Sequence, residues 1–217
     1  MSRSSAVIFD FDGPICGLFA HRPADAIALR LVELAVKMTG TTSDEIYSSD
    51  PLVVLQNLAS LNVSADVLNA VDAVLVEEEV LAAASAEPTD GIKHLWEILI
   101  LKKVRIAIAS NNSELAVRTF LEMQSMISVP IAGRIPGRPE LMKPAPDCLL
   151  RARTELGEAT PIIAFVGDSV SDAIAADRAG VPFIGYAVNA RKYAPLLNYG
   201  VRRLVKSVSD VETMVVD

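Results

Sequence analysis

An open α/β fold is what this sequence predicts: a parallel sheet with helices on both faces, carrying an inserted all-α segment after its first strand. Three observations predict it. Short apolar runs alternate with longer amphipathic stretches over most of the 217 residues. The runs end in polar or glycine-containing turns, as buried parallel strands do. One stretch, from Leu18 to Glu87, has helical patterning but no convincing strand.

Taken in order, the first strand is the run Ala6 to Phe11, and it ends in Asp10-Phe11-Asp12-Gly13. Side chains two apart on a strand leave the same face, so Asp10 and Asp12 can converge where the strand stops. Carboxylates that close repel unless a divalent cation neutralises them or one holds a proton, and both solutions occur in enzymes that cut phosphate esters. The helical stretch follows, with segments at about Ala24 to Met38, Pro51 to Ser60 and Ala65 to Ala86. Leu68, Val71, Leu75 and Val76 mark an apolar face of the last. Such a stretch fits an all-α half of one domain or an inserted cap. We read a cap, because it begins directly after the Asp pair and ends near Pro88-Thr89-Asp90-Gly91, where alternation resumes. This divides the chain into a core of residues 1–14 and 88–217 and a cap of residues 15–87.

A helix at Gly91 to Leu101 leads to the second strand, Val104 to Ala109, which runs into Ser110-Asn111-Asn112 before Ser113 and Glu114 open a helix reaching Gln124. A hydroxyl at a strand end followed by helix-terminal amides can cradle an anion, although Ser and Asn are also ordinary N-caps. The loop Gly133 to Pro139 precedes Lys143-Pro144-Ala145-Pro146, where two prolines stiffen the chain around one cation and Pro146 starts a helix to Leu156. Arg134 and Arg138 either extend a positive field toward a substrate or are solvated loop side chains. The strand Ile162 to Val166 enters Gly167-Asp168-Ser169-Val170-Ser171-Asp172 and a helix from Ser171 to Ala179. There Asp168 can point at a metal from the strand tip, and Asp172 either joins it or caps the helix. Pro182 to Tyr186 and a weaker Leu204-Val205 complete the strands. In open α/β sheets ligands bind outside the carboxyl ends of the strands, so the four motifs should share one crevice.

Composition narrows the partners. Net charge is −7 with dispersed basic residues, which excludes a broad nucleic-acid or anionic-membrane surface. The longest apolar segment, Leu95 to Ala109, is broken by Glu97, Lys102, Lys103 and Arg105 and cannot span a membrane. Cys16 and Cys148 lack metal-ligand spacing and fit free thiols in a reducing, cytoplasmic setting. The first apolar stretch meets Asp10 too soon for a signal peptide.

The order Asp10-x-Asp12-Gly13, Ser110-Asn111, Lys143-Pro144 and Gly167-Asp168-Ser169-x-x-Asp172 resembles the haloacid dehalogenase-like hydrolase superfamily. The helical insert is similar to the cap of its phosphoglycolate phosphatase and β-phosphoglucomutase branch. The resemblance implies a Rossmann-like core, Mg2+ and a small phosphorylated metabolite as substrate. By position it implies Asp10 as the nucleophile that forms an aspartyl phosphate and Asp12 as general acid and base, with its backbone carbonyl toward the metal. Asp10 and Asp168 would supply carboxylates to the metal, with Asp172 helping directly or through water. Ser110, the Asn111 amide and Lys143 would bind the phosphoryl group. An Asp at position 12 favours phosphate chemistry over halide displacement, since a departing alkoxide needs a proton. Pro14 stands where relatives often have Thr, and Gly17 where many carry an acid; both bear on the hinge of the cap. His21 either enters the pocket or lies at the surface. The expected activity is a Mg2+-dependent phosphatase, with a phosphomutase or a non-catalytic phospho-ligand binder as alternatives. Substrate-selecting groups are expected on the cap and on Gly133 to Glu140. The sequence assigns neither a particular substrate nor an oligomeric state.

Overall fold

Every side chain of β1 (Ala6–Phe9) is buried, which requires cover on both faces and hence a central strand. The computed structural model, which describes residues 5–216, places it so. β2 (Arg105–Ser113), β3 (Ile131–Arg134), β4 (Ile162–Gly167), β5 (Phe183–Tyr186) and β6 (Leu204–Val205) complete a sheet of order β3-β2-β1-β4-β5-β6. All five pairings are parallel, and Phe9 stands opposite Ile108 on one side and Val166 on the other. The chain moves outward from β1 to β3, then crosses back to β4 and continues the other way. The carboxyl ends of β1 and β4 therefore flank the point where the winding reverses, the usual ligand crevice of such sheets.

Alternation along the strands decides which helices cover which face. Val7, Phe9, Ile108 and Val166 pack with α5 (Ile92–Leu101), α6 (Glu114–Met123) and α10 (Val208–Val216). Ala6, Ile8, Ala107 and Phe165 pack with α7 (Asp147–Leu156) and α8 (Val170–Ala179). Between β1 and α5 the chain forms α1 (Ala24–Thr39), α2 (Ser43–Ile46), α3 (Pro51–Ser60) and α4 (Ala65–Ser85), with a core of their own that includes Leu31, Leu55, Leu58, Val71 and Leu75. Helix starts follow local chemistry: Asp50 accepts from the Leu52 amide, with Pro51 at the first position, and Ser64 accepts from the Val67 amide. The helical cap and the Rossmann-like sheet are thus both present.

Several boundaries differ from the sequence-based expectation. β1 stops at Phe9 because the Phe11 amide turns to Asp10 Oδ1, while the Asp10 amide makes the last bond to β4, 2.8 Å from Val166 O. Gly133 and Arg134, expected in a loop, form the edge strand β3; four residues with a central glycine carry too little pattern to announce a strand. That glycine is sterically required, since a Cβ would lie 2.5 Å from the Glu114 amide nitrogen. The short helix α2, α10 and α9 (Ala190–Tyr199), which contains Pro195, were also not expected.

Arg134 corrects both readings offered for it, since it neither faces a substrate nor meets solvent. Its side chain is 2% exposed and bridges Asp72 at 2.7 Å and Glu79 at 2.8 Å, both buried on α4. The same guanidinium donates to Asn111 O at 2.7 Å. Glu79 also accepts from the Asn112 side chain at 3.1 Å and from the Ser113 amide at 2.9 Å. A helix of the cap is therefore tied by buried charge to the last residues of β2. The lower half of α4 continues this docking, with Ala82 and Ala83 inside the sheet-face core.

Removing one partner of a buried charge cluster strands the others in a medium that cannot solvate them. Arg134→Met is expected to lower unfolding free energy by about 3–5 kcal/mol, measured by urea denaturation against the parent protein.

Candidate active site

Four strand-end or loop segments bring their side chains into one cavity of about 320 Å³, at the low end of ligand pockets. Asp10 leaves β1 at its carboxyl end, and one oxygen, Oδ1, receives both the Phe11 amide and the Lys143 ammonium, each at 2.7 Å. Lys143 is 3% exposed and lies 2.6 Å from Asp172 Oδ1 as well. It also donates to Ala109 O and sits over the Phe165 ring, 5.4 Å from its centre. The loop holding it is clamped to the end of β2 by the Asn111 side chain, which accepts from the Lys143 amide at 2.7 Å and donates to Lys143 O at 3.1 Å. Stiff prolines and two reciprocal bonds thus aim one cation at two carboxylates.

Asp172 caps the helix, one of the two roles expected of it, and turns its other oxygen toward Lys143. Oδ2 accepts from the amides of Asp168 and Ser169 and completes a capping box with Ser169 at the start of α8. Oδ1 faces Lys143 at ion-pair distance but makes no well-formed hydrogen bond. Gly167 lets this happen, because a Cβ there would lie 2.7 Å from that of Asp172. Gly13 is equally constrained: its φ is +109°, and a Cβ would fall 2.2 Å from Asp168 Oδ2.

Asp12 stands apart from this cluster. Its Oδ1 accepts from the Leu18 amide at 2.9 Å, where the chain enters the cap. The intervening turn is closed by the Ile15 and Cys16 amides, both donating to Phe11 O, so the missing N–H of Pro14 costs it neither bond. Thr89 on the returning chain donates its hydroxyl to Gly13 O and its amide to Ile15 O, each at 2.8 Å. At Ser110, the hydroxyl donates to Asn112 Oδ1 and accepts from the Asn112 amide. Ser113, not Ser110, caps α6.

Burial dominates the electrostatics. It pushes the Asp10 carboxyl up to about 7, with Lys143 opposing, and the Asp12 carboxyl up to about 6, with the Leu18 amide opposing. Asp168 is pushed to about 6 by the same cause, against Lys192. Burial also works against the Lys143 ammonium, but Asp10 and Asp172 overcome it and hold its pKa above the ordinary lysine value. Oxygens of Asp10, Asp168 and Asp172 lie within 4.8 Å of one another. Hard oxygen donors, a negative surplus and the poorly bonded Oδ1 of Asp172 fit a divalent cation such as Mg2+. The Asp12 carboxylate is outside that set.

The motifs did not disclose the rest of the cavity. Lys192, at the start of α9, pairs with Asp168 at 2.8 Å; its signal was its position just past a strand end. Asp50, Leu52, Val53 and Gln56 form the opposite wall from the start of α3. Among the described residues none of Gly133 to Glu140 lines the cavity, which corrects the expectation for that segment. Arg134 turns into the buried cluster, and Arg138 pairs with Glu140 at the surface. His21 is exposed in a separate depression beside Arg22 and Glu78.

The fold recurs in solved structures of low sequence identity. A candidate phosphoglycolate phosphatase from Lactobacillus delbrueckii subsp. bulgaricus is 22% identical with TM-score 0.63, covering 98% of each chain. A phosphatase, so named by prediction, from Clostridium acetobutylicum is 17% identical with TM-score 0.67, covering 99% of each. CbbY from Rhodobacter sphaeroides, solved in complex with phosphate, is 19% identical with TM-score 0.62, covering 96% of each. No curated protein sequence matches the chain. The family model for haloacid dehalogenase-like hydrolases matches residues 5–180, a span holding all four motifs and the helical insert between the first two, and the chain accordingly belongs to that hydrolase family.

Proposed function

We propose that this hydrolase is a Mg2+-dependent phosphatase that acts on a small phosphorylated metabolite through an aspartyl phosphate on Asp10. The observation that carries the reading is the convergence of Asp10, Asp168 and Asp172 around Lys143 at the crevice between β1 and β4. The phosphatase names of similarly folded proteins and the phosphate bound to CbbY support the same chemistry. Residues 1–14 and 88–217 would act as the core and residues 15–87 as the cap. The two free, buried cysteines suit a cytoplasmic setting, and among the described residues no helix is long and apolar enough to cross a membrane.

In this reading an Asp10 oxygen attacks phosphorus, and the bond from phosphorus to the alcohol oxygen breaks. Anchoring through Oδ1 keeps the carboxylate from rotating out of line. Asp12, whose raised pKa suits proton transfer near neutrality, gives its proton to the departing oxygen. It then takes a proton from water as that water attacks phosphorus, which releases inorganic phosphate and restores Asp10. Lys143, the Ser110 hydroxyl and the Asn111 amide receive the charge on the phosphoryl oxygens. Asp10, Asp168, Asp172 and the Asp12 carbonyl would hold Mg2+, which supplies charge neutralisation at the transferring phosphoryl group.

Asp10→Asn is expected to reduce phosphate release by on the order of 10⁴-fold or more. Asp12→Asn should cost about 10²–10⁴-fold, with loss concentrated on esters of poor leaving groups. Steady-state assays comparing an alkyl phosphate with p-nitrophenyl phosphate check both, and an Asp10→Asn variant of undiminished rate would sink the proposal.

Chelation by EDTA is expected to abolish turnover and added Mg2+ to restore it. Because Mg2+ would supply a counter-charge to three mutually repelling carboxylates, thermal melting should also shift upward on adding it. Rates and melting curves unchanged by either treatment would remove the metal from the mechanism.

A further inference from the structure

The cavity has a charged floor and a differently charged wall. Its floor holds both lysines that line it, and core carboxylates engage each: Lys143 lies between Asp10 and Asp172, and Lys192 is on Asp168. Its wall is the first part of α3, with Asp50, Leu52, Val53 and Gln56. Among the described residues that wall contributes one carboxylate, one amide, two apolar side chains and no cation. Asp50 spends Oδ1 on the Leu52 amide at 2.8 Å, and its side chain is exposed at the cavity.

Position makes the wall's charge relevant to selection. Asp50 and Asp12 line the same cavity, and Asp12 is the group placed to protonate the leaving oxygen, so an alcohol portion that extends from the floor across the cavity meets the wall that holds Asp50. A carboxylate there would meet like charge in a cavity already holding a phosphate, with no wall cation to pair it. Hydroxyl or ammonium groups would find an acceptor in Asp50, and Gln56 offers both donor and acceptor. We infer that the substrate, given the phosphatase reading above, is a phosphomonoester whose alcohol portion carries hydroxyl or amine groups and no carboxylate, and that Asp50 enforces this choice. The chain would then differ in specificity from an enzyme for phosphoglycolate despite the shared fold.

Size-matched pairs isolate the charge. With Mg2+ present, kcat/KM for phosphoethanolamine and glycerol 3-phosphate is expected to exceed that for 2-phosphoglycolate and 3-phosphoglycerate, respectively, by about tenfold or more. Asp50→Asn removes the charge while keeping a good N-cap for α3, and it should narrow each ratio by about tenfold. Gln56→Lys, which adds a wall cation without touching that cap, should move both ratios the same way, and circular dichroism of both variants checks that they fold. Ratios near one in the parent protein, or ratios unmoved by both variants, overturn the selectivity while turnover of p-nitrophenyl phosphate preserves the phosphatase reading. No turnover of any ester, p-nitrophenyl phosphate included, overturns both.

Discussion

Lys143 touches two buried carboxylates that begin on different strands, Asp10 after β1 and Asp172 after β4. Three acidic side chains so close and so little hydrated repel one another strongly, and the ammonium between two of them offsets that repulsion. Its own placement is unusually determined: Asn111 grips its backbone from both sides, and Ala109 O and the Phe165 ring receive its head. The ends of β1, β2 and β4 are thus drawn together by one side chain. The proposed phosphate chemistry would depend on this arrangement, because a nucleophilic carboxylate and a dianionic ester approach each other only where positive charge is already in place.

The second structural constraint reaches the site from outside. Glu79 and Asp72 belong to α4, yet directly and through Arg134 they hold the end of β2 that carries Ser110 and Asn111. The cluster is buried, so it fixes one arrangement of helix against strand ends. Asp12 makes a second link between site and cap through the Leu18 amide, and Thr89 ties the two chain crossings together. Cap and core consequently share the residues that set the geometry of the candidate site, while the start of α3 supplies another wall of the cavity.

Much of this was legible in the sequence for local reasons. Strands buried on both faces need continuous apolar runs, helices need periodic ones, and their alternation implies a parallel sheet. The motif residues could be found because each sits where an apolar run stops, and parallel topology collects those stops at one edge. Less was legible where the signal was brief or chemically ordinary. β3 is four residues with a glycine inside, α9 contains a proline, and nothing near Arg134 distinguishes it from the solvated Arg138.

By itself the sequence determined the α/β class, the helical insert, and the acidic, hydroxyl and lysine groups at the strand ends, because period and spacing are properties of neighbouring residues. Tertiary structure alone decided that Arg134 is buried between Asp72 and Glu79, that Lys192 pairs with Asp168, and that Asp50 and Gln56 rather than residues 133–140 face the site. Those partners lie tens of residues apart in the chain. The chemistry of a long-range contact is set by which two surfaces the fold brings together, and no local pattern records that.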